Sequence, residues 1–183
     1  MASEANAVDK LLVAIQDGAA IVRVQGRGSF KISTILKEFA GAAIDKGCTR
    51  LILDMADCIG MDSTFMGVLA GLSFRLKQRN GGVVMVNLSL RTRGLLATLG
   101  LDEVIDPHMA GDMPRDVAAL LPGAAESMPV LENPERSTRE TAATMLEAHE
   151  NLVKLSPDNL PKFKDVLAFL QEDLKKSGGA EKP

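Results

Sequence analysis

Tryptophan and tyrosine are absent from this 183-residue chain, and its six phenylalanines are scattered along the sequence. Proteins that bind single-stranded nucleic acids stack the bases on aromatic side chains. The formal net charge of −3 adds no general attraction for a phosphate backbone. The composition therefore argues against nucleic-acid binding.

Long apolar runs are also missing. No segment approaches the roughly 18 apolar residues of a membrane-spanning helix, and residues 1–9 have neither the basic start nor the apolar core of a signal peptide. We therefore expect a soluble, cytoplasmic protein. The hydrophobic content of 46% is enough for one well-packed domain and an appendage.

Residues that bind metals or act as catalytic bases are few. Cys48 and Cys58 form no CxxC pair and have no neighbouring histidine, so we expect buried free thiols and neither metal nor cofactor. His108 follows a proline, and His149 lies on the apolar side of a predicted helix, where packing is the ordinary role. A nucleophilic serine needs a base and an orienting group, and the sequence spacing supplies neither. We expect no enzyme activity.

The most informative segment is a predicted strand, loop and helix. Residues 51–53 are an apolar run typical of a buried parallel strand, and residues 54–61 predict a loop. From Phe65 onward apolar residues recur at helical spacing. Asp, Ser and Thr, which occupy positions 62–64, are all favourable helix caps. The pattern places Ser63 at a helix start.

The flanking segments predict further strands and helices. The Asp17-Gly18 pair indicates a tight antiparallel hairpin between two strands. Residues 26–29 predict a loop beside the Ser63 turn; a phosphate-binding loop is the weaker alternative, because the full glycine fingerprint is missing. Ser33 or Thr34 would cap the next helix.

Residues 83–105 repeat the strand and helix order. They predict a strand, a helix capped by Ser89 and closed by Gly100, and a last short strand. The predicted fold class is therefore α/β: a mixed sheet with an N-terminal antiparallel hairpin, parallel strands and flanking helices.

At this point the sequence resembles a known family. The motifs that carry the resemblance are Leu53-Asp54, Met61-Asp62-Ser63-Thr64, Gly67-Val68-Leu69, Gly81-Gly82-Val83 with Val86-Asn87, and Leu95-Leu96 with Leu99-Gly100-Leu101. Each is weak alone, but their order and spacing over about residues 10–106 are similar to those of STAS domains. That family is named for sulfate transporters and anti-sigma factor antagonists.

The resemblance implies a function. In bacterial anti-sigma factor antagonists, also called anti-anti-sigma factors, the serine directly after the aspartate is phosphorylated by a partner kinase that is also the anti-sigma factor. That serine is Ser63 here, and Thr64 is a second candidate. The chain departs from the family at Phe65, where glycine is usual, and we expect this change to alter the surface shown to a partner.

The hypothesis is a partner-switching module in signal transduction and transcription regulation. Unmodified Ser63, with its hydroxyl uncovered, permits docking of the kinase; a phosphate adds about −1.5 to −2 charges beside Asp62 and repels the partner. A phosphatase would remove the phosphate from Ser63. The predicted partner-binding residues are Gly26, Arg27, Ser29, Asp62, Ser63, Thr64, Phe65 and Met66.

Two alternatives remain for the same segment. Ser63 could be a simple helix cap that is never modified. The chain could also be a scaffold subunit of a larger lipid-transport or stress-sensing complex, in which the surface binds a partner constitutively.

The C-terminal part predicts an appendage. We divide the chain into a tail (1–9), a STAS domain (10–106), a proline-rich linker (107–136), a helical hairpin (137–176) and a polar tail (177–183). Ser137 and Glu140 match a capping box. The second hairpin helix has heptad-like apolar spacing, which slightly favours a homodimer over docking on the same chain.

Overall fold

The computed structural model describes residues 8–125 and 128–179, so most of the predicted N-terminal tail and residues 180–183 of the polar tail lie outside the described residues. The strands are β1 (Lys10–Gln16), β2 (Ala19–Gly28), β3 (Arg50–Asp54), β4 (Cys58–Met61), β5 (Gly82–Leu88) and β6 (Ile105–Met109). The helices are α1 (Phe30–Asp45), α2 (Ser63–Lys77), α3 (Leu90–Thr98), α4 (Arg115–Ala125), α5 (Thr138–Leu155) and α6 (Leu160–Gly179).

The strands form one mixed sheet in the order β1-β2-β3-β5-β6. Strands β1 and β2 are antiparallel, and the other neighbouring pairs are parallel. The turn between β1 and β2 uses positive φ angles of 50° at Asp17 and 77° at Gly18, as a two-residue hairpin requires. The predicted fold class and the Asp17-Gly18 hairpin are confirmed.

Alternate residues of the central strands face two separate cores. The first core lies under α1, α2 and α3, and the second lies under α4. The strand residues of the first core include Ala20, Val22, Val24, Leu51, Leu53, Val83, Met85 and Leu88. Those of the second are Ala19, Ile21, Ile52, Val84 and Val86. Both faces of the sheet are therefore covered, which explains why its strands read as continuous apolar runs.

Two segments predicted as loops are strands. Residues 58–61 form β4, which pairs in parallel with the far end of β2. Residues 26–28 belong to β2 itself, beyond an irregularity between Gly26 and Arg27. The loop predictions for 54–61 and 26–29 are therefore wrong in part, because the two segments form backbone hydrogen bonds with each other.

The helix starts differ in how well the sequence located them. Helix α3 is capped by Ser89, whose side chain accepts from Thr92 N–H, and Gly100 beyond its end has a φ of 79°, as predicted. Helix α1 begins at Phe30 with Ser29 at its N-cap position, so the prediction of Ser33 or Thr34 as its cap is wrong.

The segment over residues 107–136 contains regular structure. It completes β6, which ends at Met109, and it forms α4. Farther on, Val13 N–H donates to Pro129 O at 3.1 Å and Leu131 N–H donates to Leu11 O at 2.8 Å. This segment thus pairs with the outer edge of β1, an edge that would otherwise be open to association.

The C-terminal hairpin, defined as α5, the turn after it and α6, packs on the rest of the chain. Its capping box is present as predicted: the Ser137 hydroxyl accepts from Glu140 N–H at 3.1 Å, and Glu140 Oε2 accepts from Ser137 N–H at 3.0 Å. At the turn, Asn159 is 1% exposed and its amide donates to Leu99 O at 3.0 Å and to Leu152 O at 2.8 Å. Asn159 therefore fastens the turn of the hairpin to the end of α3.

Candidate functional site

The start of α2 is organised by the Asp62 carboxylate. Its Oδ1 accepts from Phe65 N–H at 2.9 Å, which is the N-cap bond of α2. Its Oδ2 accepts from Phe30 N–H at 2.7 Å, at the first residue of α1. Asp62 N–H in turn donates to Gly28 O at 2.8 Å. Of the three candidate caps, Asp62 is the one used, and Ser63 is the first residue of α2.

The end of β2 lies beside this helix start. Arg27 N–H donates to Asp9 Oδ1 at 3.0 Å, and the Ser29 hydroxyl donates to Asp9 Oδ2 at 2.7 Å. Ser29 is 8% exposed, whereas Arg27 is exposed. Gly26 and Arg27 pair with β4, the strand that leads into α2, and Ser29 directly precedes Phe30, which bonds to Asp62. The role of these residues in partner binding stays a prediction.

The Ser63 hydroxyl is covered by the C-terminal hairpin. Its Oγ lies 2.9 Å from Nε2 of His149, a residue of α5 that is 3% exposed. Nδ1 of the same ring lies 2.6 Å from Met145 O. A carbonyl oxygen only accepts, so a ring with a single proton carries it on Nδ1, and Nε2 accepts from the Ser63 hydroxyl. Ser63 is half-buried, and its hydroxyl is hydrogen-bonded to His149 rather than free as expected.

Sequence reasoning missed the contact between Ser63 and His149. The two residues are 86 positions apart, and their spacing carries no signal of contact. The helical pattern did place His149 on the buried side of α5, and packing is part of its role: its ring meets Phe163 edge-on, with centroids 5.0 Å apart. Ser63 itself is half-buried, at the boundary between α2 and the hairpin.

The next residues of α2 are buried. Phe65 is 0% exposed, Thr64 is 3% exposed and Met66 is 4% exposed. The expectation that Phe65 alters the surface shown to a partner is wrong, because its ring fills the core beside Gly28. Burial of Thr64 also counts against it as a second phosphorylation site.

Helix α5 lies along both α1 and α2. Residues 67, 71 and 74 of α2 meet residues 148, 151 and 154 of α5, so the two helices run in the same direction. On the α1 side, the Thr34 hydroxyl donates to Thr144 Oγ1 at 2.9 Å. The hairpin therefore docks on its own chain; the homodimer stays a prediction.

A groove of about 270 Å³ opens farther along α2, away from Ser63. It lies between α1, α2 and α5, and its lining includes Lys37, Gly71, Arg75, Glu147 and Lys154. Neither Ser63 nor His149 lines it. The groove is therefore separate from the serine.

Beside the site, β4 carries a free thiol. Burial raises the pKa of Cys58, whose Sγ lies 3.2 Å from Gly60 O. Cys48 is also free and buried.

Among the described residues, no group of three or more His, Cys, Asp and Glu side chains is arranged to hold a metal ion. Within the same residues, no helix combines the length and the apolar character that a bilayer crossing needs.

Comparison with known families decides the identity of this fold. The family model described as "STAS domain" matches residues 10–113, more than half of the chain. The chain belongs to the STAS domain family. No curated protein gives a significant match. In this STAS protein the family match ends before α5 and α6, so the hairpin lies outside the matched region.

Three solved structures illustrate the shared fold. SpoIIAA, an anti-sigma factor antagonist in its unphosphorylated form, is 18% identical, with a TM-score of 0.51 over 60% of this chain and 92% of its own. An anti-sigma factor antagonist of Mycobacterium paratuberculosis is 22% identical, with a TM-score of 0.51 over 61% and 92%. A candidate antagonist of Thermotoga maritima is 17% identical, with a TM-score of 0.51 over 58% and 89%. At these identities the likeness concerns the fold.

Proposed function

We propose that this STAS protein is an anti-sigma factor antagonist of a partner-switching pathway, with Ser63 as its phosphorylation site. The proposal rests on the position of Ser63, which is the first residue of α2 and directly follows the Asp62 cap. Its hydroxyl bonds to the appended hairpin rather than to the STAS core. The similar structures are anti-sigma factor antagonists, which supports an anti-sigma factor as the partner.

The chemistry of the switch follows from this position. A partner kinase would transfer the γ-phosphoryl group of ATP to Ser63 Oγ, with release of ADP and of the hydroxyl proton. A helix start offers unpaired N–H groups and a partial positive charge, worth about 0.3–1 kcal/mol to an exposed anion. The adjacent Asp62 carboxylate opposes the new charge where a partner excludes water. Phosphorylation of Ser63 would therefore be tolerated in the free protein and would weaken its complex with the partner.

Catalysis by the Ser63 and His149 pair is the weaker interpretation. A nucleophilic serine needs its base beside a site that is open to substrate. His149 is instead 3% exposed, packed against Phe163, and oriented by a backbone carbonyl rather than a carboxylate. The pair is therefore better suited to holding two parts of the chain together.

Two measurements test the proposal. Mass spectrometry of the protein from its native cells should find phosphate on the peptide that contains Ser63. Full-length Ser63→Ala protein should capture a histidine-kinase-like ATPase from native lysate, whereas Ser63→Asp protein should not. Thr64→Ala, which removes the neighbouring buried hydroxyl, is the matched control and should behave as the unaltered chain does.

The same capture distinguishes the alternatives. Equal capture of one ATPase by the Ser63→Ala and Ser63→Asp proteins would contradict the switch. Recovery of a transporter ATPase instead would favour the constitutive scaffold. The cytoplasmic location, the phosphatase and the sigma factor remain predictions that the identity of the captured partner would refine.

A further inference from the structure

One side of α2 is built for close contact with another helix. Gly67 and Gly71, four residues apart, face α5, and a Cβ atom added at Gly67 would lie 2.2 Å from Ala148 O. The Asn151 amide donates to Gly67 O at 3.2 Å. Small residues at this spacing allow two helix backbones to approach closely. We call Ser63, Gly67 and Gly71 the docking face of α2.

In its present rotamer the Ser63 hydroxyl is directed at the buried His149 ring, so a phosphoryl group on Oγ would meet that ring. Ser63 Oγ and His149 Nε2 are already at hydrogen-bonding distance, 2.9 Å. A phosphoryl group would add a phosphorus atom and three oxygens to Oγ, directed at a ring that Phe163 holds from another side. Phosphorylated Ser63 and the docked hairpin therefore exclude each other.

Ion pairs at the outer edge of the hairpin add little to its docking. At its outer edge, Lys37 pairs with Glu147, and Arg136 just before α5 pairs with Glu38. These pairs are partly exposed, and exposed ion pairs contribute little to stability. Only Leu152 at 0% and Ala148 at 1% enter the main core from α5 as fully buried apolar residues.

From this geometry we infer that the C-terminal hairpin is an internal competitor for the docking face of α2. While docked, it covers the Ser63 hydroxyl and denies the face both to the kinase and to a partner helix. Release of the hairpin exposes serine and face together, and a phosphoryl group on Ser63 prevents the hairpin from docking again. This inference rests on the proposed function, because it names the regulation of the same serine.

Hydrogen–deuterium exchange of the full-length protein tests the inference without any partner. Two altered proteins are compared with the unaltered chain: one with phosphoserine incorporated at position 63, and Gly67→Ala. The added methyl group of Gly67→Ala meets the α5 backbone and leaves Ser63 unchanged. Gly94→Ala is the matched control, because a Cβ atom at this helical glycine meets nothing within 4 Å.

We expect α5 amides to exchange about tenfold faster in both altered proteins, the change that a shift of about 1.4 kcal/mol in the opening equilibrium produces. A released two-helix unit of this size is only marginally stable, so its amides lose protection. Strands β3 and β5 should stay protected, and Gly94→Ala should match the unaltered chain. Loss of protection in β3 and β5 of Gly67→Ala would mean that this variant misfolds, and the phosphoserine protein would then decide alone.

Unchanged α5 exchange in the phosphoserine protein, with β3 and β5 protected, overturns the inference. Unchanged exchange in a folded Gly67→Ala protein overturns it as well, because the close contact would then not hold the hairpin. Neither result touches the proposed function, which fails instead when Ser63 carries no phosphate in cells or when its charge leaves partner capture unaltered. The two failures are therefore separable.

Discussion

Gly28 lies against the ring of Phe65, so closely that a Cβ atom added at Gly28 would be 2.8 Å from Phe65 Cδ1. Gly28 ends β2, and Phe65 belongs to the first turn of α2. The ring is 0% exposed, and protein interiors are closely packed. Phe65 thus occupies a space that only a glycine at position 28 leaves open.

Gly28→Ala should therefore lower the free energy of unfolding. Overpacking of a filled core costs about 1–3 kcal/mol, since the ring or the strand must shift. Urea denaturation followed by circular dichroism measures the change. Gly82→Ala, also in a strand but with nothing within 4 Å of the added carbon, is the control and should change little. Equal stability of the two variants would show that Phe65 moves freely.

Asp62→Ala should destabilise the starts of two helices at once. The carboxylate accepts from Phe65 N–H and from Phe30 N–H. Loss of a capping side chain costs about 0.5–2 kcal/mol, and the second unpaired donor should bring this variant to the upper part of that range.

Asp62→Asn provides the comparison for this carboxylate. Its single carbonyl oxygen replaces one of the two acceptors, so its stability in urea should lie between those of the unaltered protein and Asp62→Ala. An Asp62→Asn protein as unstable as Asp62→Ala would mean that the charge, and not the number of acceptors, matters.

Asn87 combines a backbone and a side-chain role. Its φ is 59°, in the left-handed region, and its amide donates to the buried Asp54 Oδ1 at 2.9 Å. Asn87→Gly removes the side chain with its hydrogen bond and suits the left-handed conformation, whereas Asn87→Ala removes the same bond and keeps a Cβ atom in a conformation that alanine tolerates less well than asparagine. We expect Asn87→Ala to be the less stable by about 1 kcal/mol in chemical denaturation. The reverse order would mean that the backbone relaxes at this position.

His108 should make stability depend on pH. Asp106, whose Oδ2 lies 3.0 Å from His108 Nε2, raises the pKa of the imidazole against the opposing effect of burial, and Asp112 adds to the increase. The folded protein therefore holds this proton more tightly than the unfolded chain does. The contribution is complete below about pH 6.5, the ordinary value, and is lost as the pH rises through the raised pKa.

The test of His108 is a series of urea denaturations between about pH 5.5 and 8.5, a range that brackets the ordinary histidine pKa. The unaltered protein should lose stability relative to His108→Gln as the pH increases. Asp106→Asn removes the main cause of the increase in pKa, so the stability of this variant should depend less on pH. Parallel pH profiles for the unaltered protein and His108→Gln would exclude a contribution from this imidazole.

The sequence predicted features whose causes are local. The Asp17-Gly18 turn, the Ser89 cap and the Ser137 capping box are each set by a few adjacent residues, and all three are present. Strand β4 escaped prediction because residues 58–61 are few and include a glycine, and only the far end of β2 makes them a strand. Apolar periodicity needs more residues than this to be recognised.

The candidate site was predictable only in part. The motif around Asp62 located Ser63 at a helix start, since capping is a local property. The cover over Ser63 depends on a helix far along the chain, and the apolar spacing of that appendage was equally compatible with a second subunit. What settles the arrangement is the fit between Gly67 and the backbone at Ala148, a relationship between surfaces that no single segment reveals.

The Asn159 amide, bonded to Leu99 O and Leu152 O, ties the turn of the hairpin to the end of α3. A hairpin that leaves α2 remains joined to its own chain, so it returns by an intramolecular step whose rate is independent of how much protein the cell makes. A partner in solution must compete with the hairpin, whose effective concentration at α2 is fixed by the chain that joins them. The concentration of free partner needed to displace the hairpin would consequently stay the same when the expression of this protein varies.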